Sequence, residues 1–252
     1  MTDLAARAAD LLLEARRDPA HKLAALPEAL RPADRAGAYA IQQHVMAALG
    51  GIGGWKVSPF APDAPPMCGP LPVSGITPSP ARIAPGPHAL RGIEAEISVH
   101  LGADLPPRAT PYSRAEVIAA IATMHPAIEV IDSRFVEPAA IDMPSNIADI
   151  QSHGGFVHGP GIADWQGIDL ARESVEQFVD GALNAGRTGH PGGDLIGQVV
   201  WLANEGSVWA GGLRAGQFVT CGSWTGANRV GPAARVRVKF ASFAEVLLDF
   251  AG

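Results

Sequence analysis

The chain has 252 residues, of which 47% are hydrophobic, so it can bury a sizeable core in one large domain or two small ones. Its 19 basic and 25 acidic residues give a net charge of -6, and no run of Lys and Arg is longer than Arg16-Arg17. This balance disfavours nucleic acid and an anionic membrane as partners and favours a small-molecule ligand. Since no segment is typical of a signal peptide or a membrane span, we expect a cytoplasmic protein.

Residues 1–58 are predicted to form a helical portion that ends in a short strand. An apolar stripe predicts a helix over 3–17, with Thr2 as its N-cap. A second helix is predicted from Pro32 to Gly50, because a glycine after the last apolar residue is typical of a helix C-terminus. The glycines of 50–54 lack the spacing of a nucleotide-binding loop, and we interpret them as a turn before a strand that contains Lys56.

Residues 59–87 are rich in proline and are expected to be a largely irregular connector to a third segment, 88–252. Ser113-Arg114-Ala115-Glu116 has the form of a capping box and predicts a helix that continues through Met124, followed by a strand. Asp180-Gly181 predicts a hairpin, and a helix is expected after Pro191. Apolar runs at 218–221, 236–240 and 246–250 predict three closing strands.

Three glutamates on two predicted strands indicate a metal site. Glu94 and Glu96 alternate with apolar residues, so both side chains project from the same face of a strand. Glu129 lies inside the apolar run 127–131, where an unpaired charge would be costly. Solvated carboxylates on a half-exposed strand are the alternative, but the burial expected for Glu129 favours a cation. An all-oxygen ligand set suits Mg²⁺ or Mn²⁺.

Several short motifs occur in an order that resembles the fumarylacetoacetate hydrolase superfamily, within it the 2-keto-4-pentenoate hydratase and 4-oxalocrotonate decarboxylase branch. The resemblance implies an α+β fold with a mixed, rolled β-sheet as the catalytic domain and a helical N-terminal portion. It also implies that Glu94, Glu96 and Glu129 bind the metal. The motifs are Gly54-Trp55-Lys56-Val57, Ile93-Glu94-Ala95-Glu96, Pro126-Ala127-Ile128-Glu129-Val130, Gly189-His190-Pro191, Trp201-Leu202-Ala203-Asn204 and Gly222-Ser223-Trp224-Thr225-Gly226.

Four side chains outside the three glutamates are candidates for substrate binding, and the resemblance implies the role of the first, Lys56. Lys56 matches the active-site lysine of the family, which orients substrate oxygens and stabilises enolate charge; standing alone it would be interpreted as a surface lysine. Ser223 and Thr225 are candidates for holding a substrate carboxylate, with a polar turn as the alternative. Arg134 is a candidate to bind a second carboxylate, with a salt bridge to Asp132 or another acid as the alternative.

Two histidines and one aspartate are further candidates. His153 and His190 lie beside glycines, where a histidine is often only a loop residue, and His153 is our candidate for a catalytic base. Asp149 lies in a stretch that resembles a loop near the pocket of the family. This chain departs from the family next to it, since Ile150 stands where an asparagine is common.

The resemblance implies a metal-dependent hydro-lyase that adds water to 2-hydroxypenta-2,4-dienoate to give 4-hydroxy-2-oxopentanoate. Self-association into a homo-oligomer is a separate expectation, because the chain is rich in apolar residues and its N-terminal helix is amphipathic. Hydratases of the family carry acidic residues downstream of the lysine, whereas the corresponding stretch 68–74 has none. This departure leaves three alternatives open. They are decarboxylation of a 2-oxo diacid such as 4-oxalocrotonate, hydrolytic cleavage of an acylpyruvate with His153 activating water, and a non-catalytic partner subunit of the same fold.

Overall fold

The computed structural model of the chain describes residues 3–58, 66–84 and 90–251. Within them, helices and two mixed β-sheets confirm the predicted α+β class and its helical N-terminal portion. The helices are α1 (Leu4–Arg17), α2 (Arg35–Ala48), α3 (Arg114–Ala120), α4 (Met143–Ala148) and α5 (Leu195–Trp201). The strands are β1 (Ile52–Val57), β2 (Cys68–Pro72), β3 (Ile76–Pro78), β4 (Ala81–Ile83), β5 (Gly92–Leu101), β6 (Ile121–Ile131), β7 (His153–His158), β8 (Ser174–Val179), β9 (Ala182–Thr188), β10 (Phe218–Thr220), β11 (Asn228–Arg229), β12 (Arg235–Phe240) and β13 (Val246–Phe250).

The first sheet is curled. Its strands lie in the order β2-β1-β10-β5-β6-β7-β3, and β11 pairs with β5. Strands β1 and β6 are therefore separated by two others, which in a flat sheet would place them roughly 14 Å apart at about 4.8 Å per strand. Yet Nζ of Lys56 on β1 lies 2.6 Å from Oε1 of Glu129 on β6. The sheet therefore brings these two side chains together on its concave face.

The two faces of β5 have opposite character. Alternate residues Ile93, Ala95 and Ile97 are fully buried and pack into the main apolar core. That core also contains Val238 and Val246 of the second sheet, whose strands lie in the order β4-β13-β12-β8-β9. The residues between them on β5 project to the other side, so the concave face of the first sheet is left free for polar groups.

Helices α1 and α2 form a separate apolar cluster with α4. The N-cap of α1 is Asp3, whose side chain accepts a hydrogen bond from the backbone N–H of Ala5; Thr2, the expected cap, lies outside the described residues. Leu12 of α1 and Ile41 of α2 are buried together in this cluster. Because its own chain covers this apolar face of α1, the face gives no support to self-association, which stays a prediction.

Several predicted boundaries differ from the structure. Within the proline-rich segment, 68–72, 76–78 and 81–83 are strands rather than irregular chain, while 59–65 and 85–87 lie outside the described residues. The capping box at Ser113 and Glu116 is confirmed, but α3 ends at Ala120 and Met124 already belongs to β6. The Asp180-Gly181 hairpin and the three closing strands are confirmed. The division into 1–58, 59–87 and 88–252 stays a prediction.

No described helix combines the length and the apolar content needed to cross a lipid bilayer.

Candidate metal centre

Three carboxylates meet on the concave face of the first sheet. Strands β5 and β6 pair antiparallel with Glu94 directly opposite Glu129, and Glu96 lies two residues further along β5 on the same face. One oxygen of each glutamate lies within 4.8 Å of one oxygen of each of the others. Glu129 is fully buried and Glu96 is 2% exposed. Register alone therefore gathers the three side chains that the sequence predicted as ligands.

The hydrogen bonds of Glu129 show that the site fits a cation. Its Oε1 accepts from Nζ of Lys56 at 2.6 Å and from Nδ1 of His153 at 2.9 Å. Its Oε2 is buried and has no hydrogen-bond partner among the described residues. An unsatisfied carboxylate oxygen next to two further carboxylates would be costly unless a cation binds there. The all-oxygen donor set suits Mg²⁺, Mn²⁺ or Ca²⁺.

Without a cation, the crowding of the three carboxylates shifts their pKa values. Burial, and then repulsion from Glu129, raises the pKa of Glu94 to about 7 against the opposing effect of Lys56. Burial and the two neighbouring carboxylates raise the pKa of Glu96 well above its usual value. Burial acts in the same direction on Glu129, but Lys56 and His153 outweigh it and hold the pKa of Glu129 below its usual value. A divalent cation would relieve the repulsion among these carboxylates.

Lys56 is a buried, charged partner of the site. Its side chain is 11% exposed, and its Nζ also donates to the backbone oxygen of Gln151 at 3.2 Å. Burial by itself lowers the pKa of Lys56, but the three glutamates, chiefly Glu129, outweigh it and raise the pKa above its usual value. Lys56 therefore remains an ammonium group, which can donate to substrate oxygens but holds its proton firmly.

A cavity of about 360 Å³ opens beside the three carboxylates. Ser223 lines it, and the buried Oγ of Ser223 has no hydrogen-bond partner among the described residues, so it is available to a ligand. Thr225 is placed differently, because its Oγ1 accepts from the backbone N–H of Ala95 at 3.1 Å and from Nε2 of Gln177 at 3.2 Å. The described residues lining the cavity are Lys56, Val57, Ser58, Glu94, Glu96, Glu129, Ile131, Gln151, Ser152, Gly222, Ser223 and Ala227.

Arg134 points away from this cavity. Its guanidinium pairs with the Asp149 carboxylate, and its Nη1 donates to the backbone oxygen of His153 at 2.9 Å. The other oxygen of Asp149 accepts from Oγ of Ser133 at 2.9 Å. The arrangement favours the salt-bridge alternative for Arg134, with Asp149 as the acid, and gives Asp149 a structural role. Asp132, the other acid considered, pairs with Lys22 at 2.9 Å.

His153 lies behind Glu129 and does not line the cavity. It is fully buried, donates through Nδ1 to Oε1 of Glu129, and leaves Nε2 without a partner among the described residues. Burial lowers the pKa of His153 to about 4 despite the carboxylate beside it, so the ring is neutral near pH 7. This position suits a residue that orients Glu129. His190 supports the loop of the Ser223 motif, with Nε2 3.4 Å from the backbone oxygen of Gly222.

Three polar residues of the site were not predicted, because no pattern in the sequence indicates them. Oγ1 of Thr220 on β10 donates to Glu96 and so orients a predicted ligand. Gln151 and Ser58 line the cavity, and Oγ of Ser58 donates to Oε1 of Gln151 at 3.3 Å. None of the three residues lies in a motif that resembles the family. Gln151 also follows Ile150, where this chain departs from the family.

The backbone around Gln151 is strained. Ile150, Gln151 and Ser152 have φ angles of 55°, 49° and 59°, so three successive residues other than glycine occupy the left-handed region. Each such residue costs roughly 1–2 kcal/mol, and a branched side chain like that of Ile150 is rare there. Strain of this kind clusters at functional sites. An asparagine at position 150 would have marked the left-handed turn in the sequence, and the isoleucine conceals it.

Comparison with curated proteins finds relatives that act on related acids. No family model matches the chain. It is 31% identical to a 4-oxalocrotonate decarboxylase of Pseudomonas putida over 163 residues, 63% of this chain, and 30% identical to a 2-hydroxyhexa-2,4-dienoate hydratase of Comamonas testosteroni over 135 residues, 52% of this chain. The chain spans 59% and 48% of the lengths of these two relatives.

Comparison with solved structures covers nearly the whole chain. A 4-oxalocrotonate decarboxylase of Pseudomonas putida G7, solved with magnesium and adipate, matches 98% of this chain and 97% of its own length at a TM-score of 0.84 and 25% identity. A fumarylpyruvate hydrolase of Pseudomonas aeruginosa, solved with Mn²⁺ and pyruvate, shares the fold at a TM-score of 0.55 and 15% identity, over 78% of this chain and 88% of its own. Structural neighbours of the chain thus contain divalent cations.

Proposed function

Because the chain belongs to the fumarylacetoacetate hydrolase superfamily, in the branch of 2-keto-4-pentenoate hydratases and 4-oxalocrotonate decarboxylases, we propose that it is a metal-dependent lyase of small 2-oxo-enoate or 2-hydroxydienoate acids. One observation carries the proposal: Glu129 gives one oxygen to Lys56 and His153 and keeps the other unpartnered beside Glu94 and Glu96. Glu129 could therefore share a divalent cation with Glu94 and Glu96 while it stays paired with the ammonium group of Lys56, at the edge of a cavity of about 360 Å³.

Each part of the site has a role in such a reaction. A divalent cation held by the three glutamates would supply stabilisation of negative charge on a 2-oxo or 2-enol oxygen. Lys56, a cation beside the same position, orients the substrate oxygens and stabilises the enolate as it forms. Ser223 can donate its free hydroxyl to the substrate carboxylate. Thr220 and His153 hold Glu96 and Glu129 in place.

Decarboxylation of a 2-oxo-3-enedioate such as 4-oxalocrotonate is the reaction that the lining of the cavity favours. The bond between the far carboxylate and the chain breaks, CO₂ leaves, and the electron pair moves through the conjugated system to the 2-oxo oxygen. The resulting dienolate takes a proton from solvent. No base is required for bond breaking, and among the described lining residues the three glutamates are the only carboxylates and no histidine is present.

Hydration of 2-hydroxypenta-2,4-dienoate to 4-hydroxy-2-oxopentanoate is the second candidate, favoured by the similarity to a dienoate hydratase. Hydration requires a catalytic base that decarboxylation does not, because water must be activated and added at the remote alkene carbon. His153 has no access to the cavity from its buried position. Cleavage of an acylpyruvate would meet the same difficulty, although His153 and Glu129 do form the required pair.

Product analysis with Mg²⁺ or Mn²⁺ tests the proposal and separates its two candidates. Incubation with 4-oxalocrotonate is expected to release CO₂ in a one-to-one ratio with the substrate consumed. Incubation with 2-hydroxypenta-2,4-dienoate tests hydration by loss of the dienoate absorbance without CO₂. Turnover that persists in a chelator would refute the metal dependence. Tight oxalate binding with no turnover of either acid would refute the lyase function and favour a non-catalytic partner subunit.

Self-association and a cytoplasmic location belong to the same proposal. Most soluble oligomers are homo-oligomers with closed symmetry. Light scattering on the purified chain, with and without Mg²⁺, is the direct measurement of its oligomeric state.

A further inference from the structure

The cavity contains a polar group that none of the roles above uses. The side-chain amide of Gln151 lines the cavity together with Ser58. Its Oε1 accepts from Oγ of Ser58 at 3.3 Å, whereas its Nε2 is buried and has no hydrogen-bond partner among the described residues. A buried amide donor without a partner is unfavourable unless a ligand or water supplies an acceptor. Nε2 of Gln151 is therefore a binding group for an oxygen atom.

The backbone fixes this amide relative to the metal centre. The carbonyl oxygen of Gln151 accepts from Nζ of Lys56 at 3.2 Å, so the left-handed turn at 150–152 is tied to the same lysine that holds Glu129. Within one extended glutamine the backbone oxygen and Nε2 are at most roughly 6 Å apart, so the contact of Lys56 with the carbonyl oxygen of Gln151 places Nε2 within roughly 9 Å of the ammonium group. A six-carbon acid bound beside Lys56 is long enough to reach the amide with its far end.

The charges of the lining decide which group binds there. Among the described lining residues Lys56 is the only basic side chain, and it is already paired with Glu129. With a divalent cation bound, the three glutamates and Lys56 carry no net charge. The far end of the substrate thus meets a neutral donor whose own acceptor is already occupied by Ser58.

We propose that Gln151 is a specificity-determining residue that binds the far carboxylate of a 2-oxo diacid through Nε2, with Ser58 orienting its amide. A carboxylate only accepts hydrogen bonds, which matches a free N–H donor. A neutral donor binds it without neutralising its charge, so less stabilisation is lost when that charge leaves as CO₂ than at an arginine. The inference rests on the proposed function and names diacids as its substrate class.

Two unreactive acids of equal length test the proposal, with the full chain saturated with Mg²⁺. Calorimetric titration compares 2-oxoadipate, which has a terminal carboxylate, with 2-oxohexanoate, which ends in a methyl group. We expect the wild type to prefer 2-oxoadipate. Gln151→Leu should weaken 2-oxoadipate binding about tenfold, since one hydrogen bond to a charged group is lost, and leave 2-oxohexanoate within about twofold.

Two further variants keep the test independent of backbone strain. Gln151→Asn retains an amide that tolerates the left-handed region but is one methylene shorter, and it should also lose the preference for 2-oxoadipate. Ser58→Ala leaves the amide in place without its partner and should reduce that preference by about two- to threefold. Equal weakening of both acids in Gln151→Leu and Gln151→Asn would show an effect on cavity shape and overturn the proposal.

Oxalate separates a failure of this inference from a failure of the proposed function. Oxalate has only the metal-proximal oxygens, so its affinity should be unchanged in all three variants. If wild type binds oxalate with Mg²⁺ but does not distinguish the two six-carbon acids, the far-carboxylate site is refuted alone. If oxalate does not bind with any divalent cation, the metal-dependent function falls and this inference with it.

Discussion

Nζ of Lys56 on β1 lies 2.6 Å from Oε1 of Glu129 on β6, although β10 and β5 lie between these two strands in the sheet. Both side chains are buried. An ion pair formed across a curled sheet links the stability of the fold to the charge of the site. The pair also explains why the metal-free site tolerates three carboxylates, since one of them is already compensated. Removal of either partner therefore has separate consequences for folding, for metal binding and for turnover.

Lys56→Met is expected to lower turnover at least about 10²-fold while metal binding is retained, because enolate stabilisation is lost and no ligand is removed. In the metal-free chain the free energy of unfolding should fall by about 3–5 kcal/mol, since the buried carboxylate of Glu129 loses its ammonium partner. Urea unfolding and Mn²⁺ titration measure the two effects. Lys239→Met is the control, because Nζ of Lys239 donates to the backbone oxygen of Phe243, in the turn between β12 and β13 and outside the lining of the cavity. Equal loss in both variants would contradict the role of Lys56.

Glu96→Gln is expected to weaken Mg²⁺ or Mn²⁺ binding at least about 10²-fold, because it removes a charged ligand from an all-oxygen site. The same substitution should stabilise the metal-free chain, since it removes one of three mutually repelling carboxylates. Calorimetric titration should show a lower metal affinity for Glu96→Gln, whereas thermal unfolding with a chelator should show a higher stability. The control is Glu245→Gln, which alters an exposed carboxylate paired with Arg237. Unchanged metal affinity in Glu96→Gln would refute the proposed centre.

The stability of the metal-free chain should depend on pH through Glu94. Its pKa is about 7 in the folded chain, against 4.5 for an ordinary glutamate, so the folded state binds more protons than the unfolded state between these values. The free energy of unfolding contributed by Glu94 is therefore fully present below about pH 4.5 and is lost as pH rises to about 7, by about 1–3 kcal/mol. Urea unfolding with a chelator, from about pH 5 to about pH 8, compares wild type with Glu94→Gln.

The difference between the two proteins reports the titration of Glu94 together with its effect on the pKa of Glu96, because the remaining titrating groups are common to both. His153 acts in the opposite direction, since its lowered pKa of about 4 makes stability fall with acid. Parallel curves for wild type and Glu94→Gln over this range would contradict the prediction. Saturating Mg²⁺ should flatten the wild-type curve, because a bound cation keeps Glu94 ionised.

The sequence predicted the three ligands because strand alternation and apolar context are local properties, visible in Glu94, Glu96 and Glu129 themselves. The partners of those ligands depend on register and curvature, which no local pattern encodes. Thr220 lies on a strand brought beside β5 by pairing, and Gln151 lies in a left-handed turn without glycine or asparagine. For Arg134 the sequence left two alternatives open, a substrate carboxylate and a salt bridge to an acid, because the partner that favours the second, Asp149, is brought to it only by the fold.

His153 is expected to position Glu129 rather than to exchange protons with substrate. His153→Phe removes the hydrogen bond at 2.9 Å and should weaken metal binding about 10- to 100-fold, as loss of a partner of a metal ligand does. His153→Asn retains a donor and should recover part of the affinity. The pH profile of turnover by the metal-saturated enzyme should keep its shape in both variants. Loss of one limb of that profile in His153→Phe would instead identify His153 as the base.

Arg134→Met should destabilise the chain without changing its choice of substrate. The buried Asp149 would lose its charge partner, which costs about 3–5 kcal/mol, whereas the double variant Arg134→Met/Asp149→Leu should recover much of that loss. The ratio of kcat/KM for a 2-oxo diacid over a 2-oxo monoacid of equal length should stay within about twofold of wild type, because the guanidinium does not line the cavity. A selective fall for the diacid in the double variant, at wild-type stability, would restore Arg134 to the substrate and remove the structural assignment made for it.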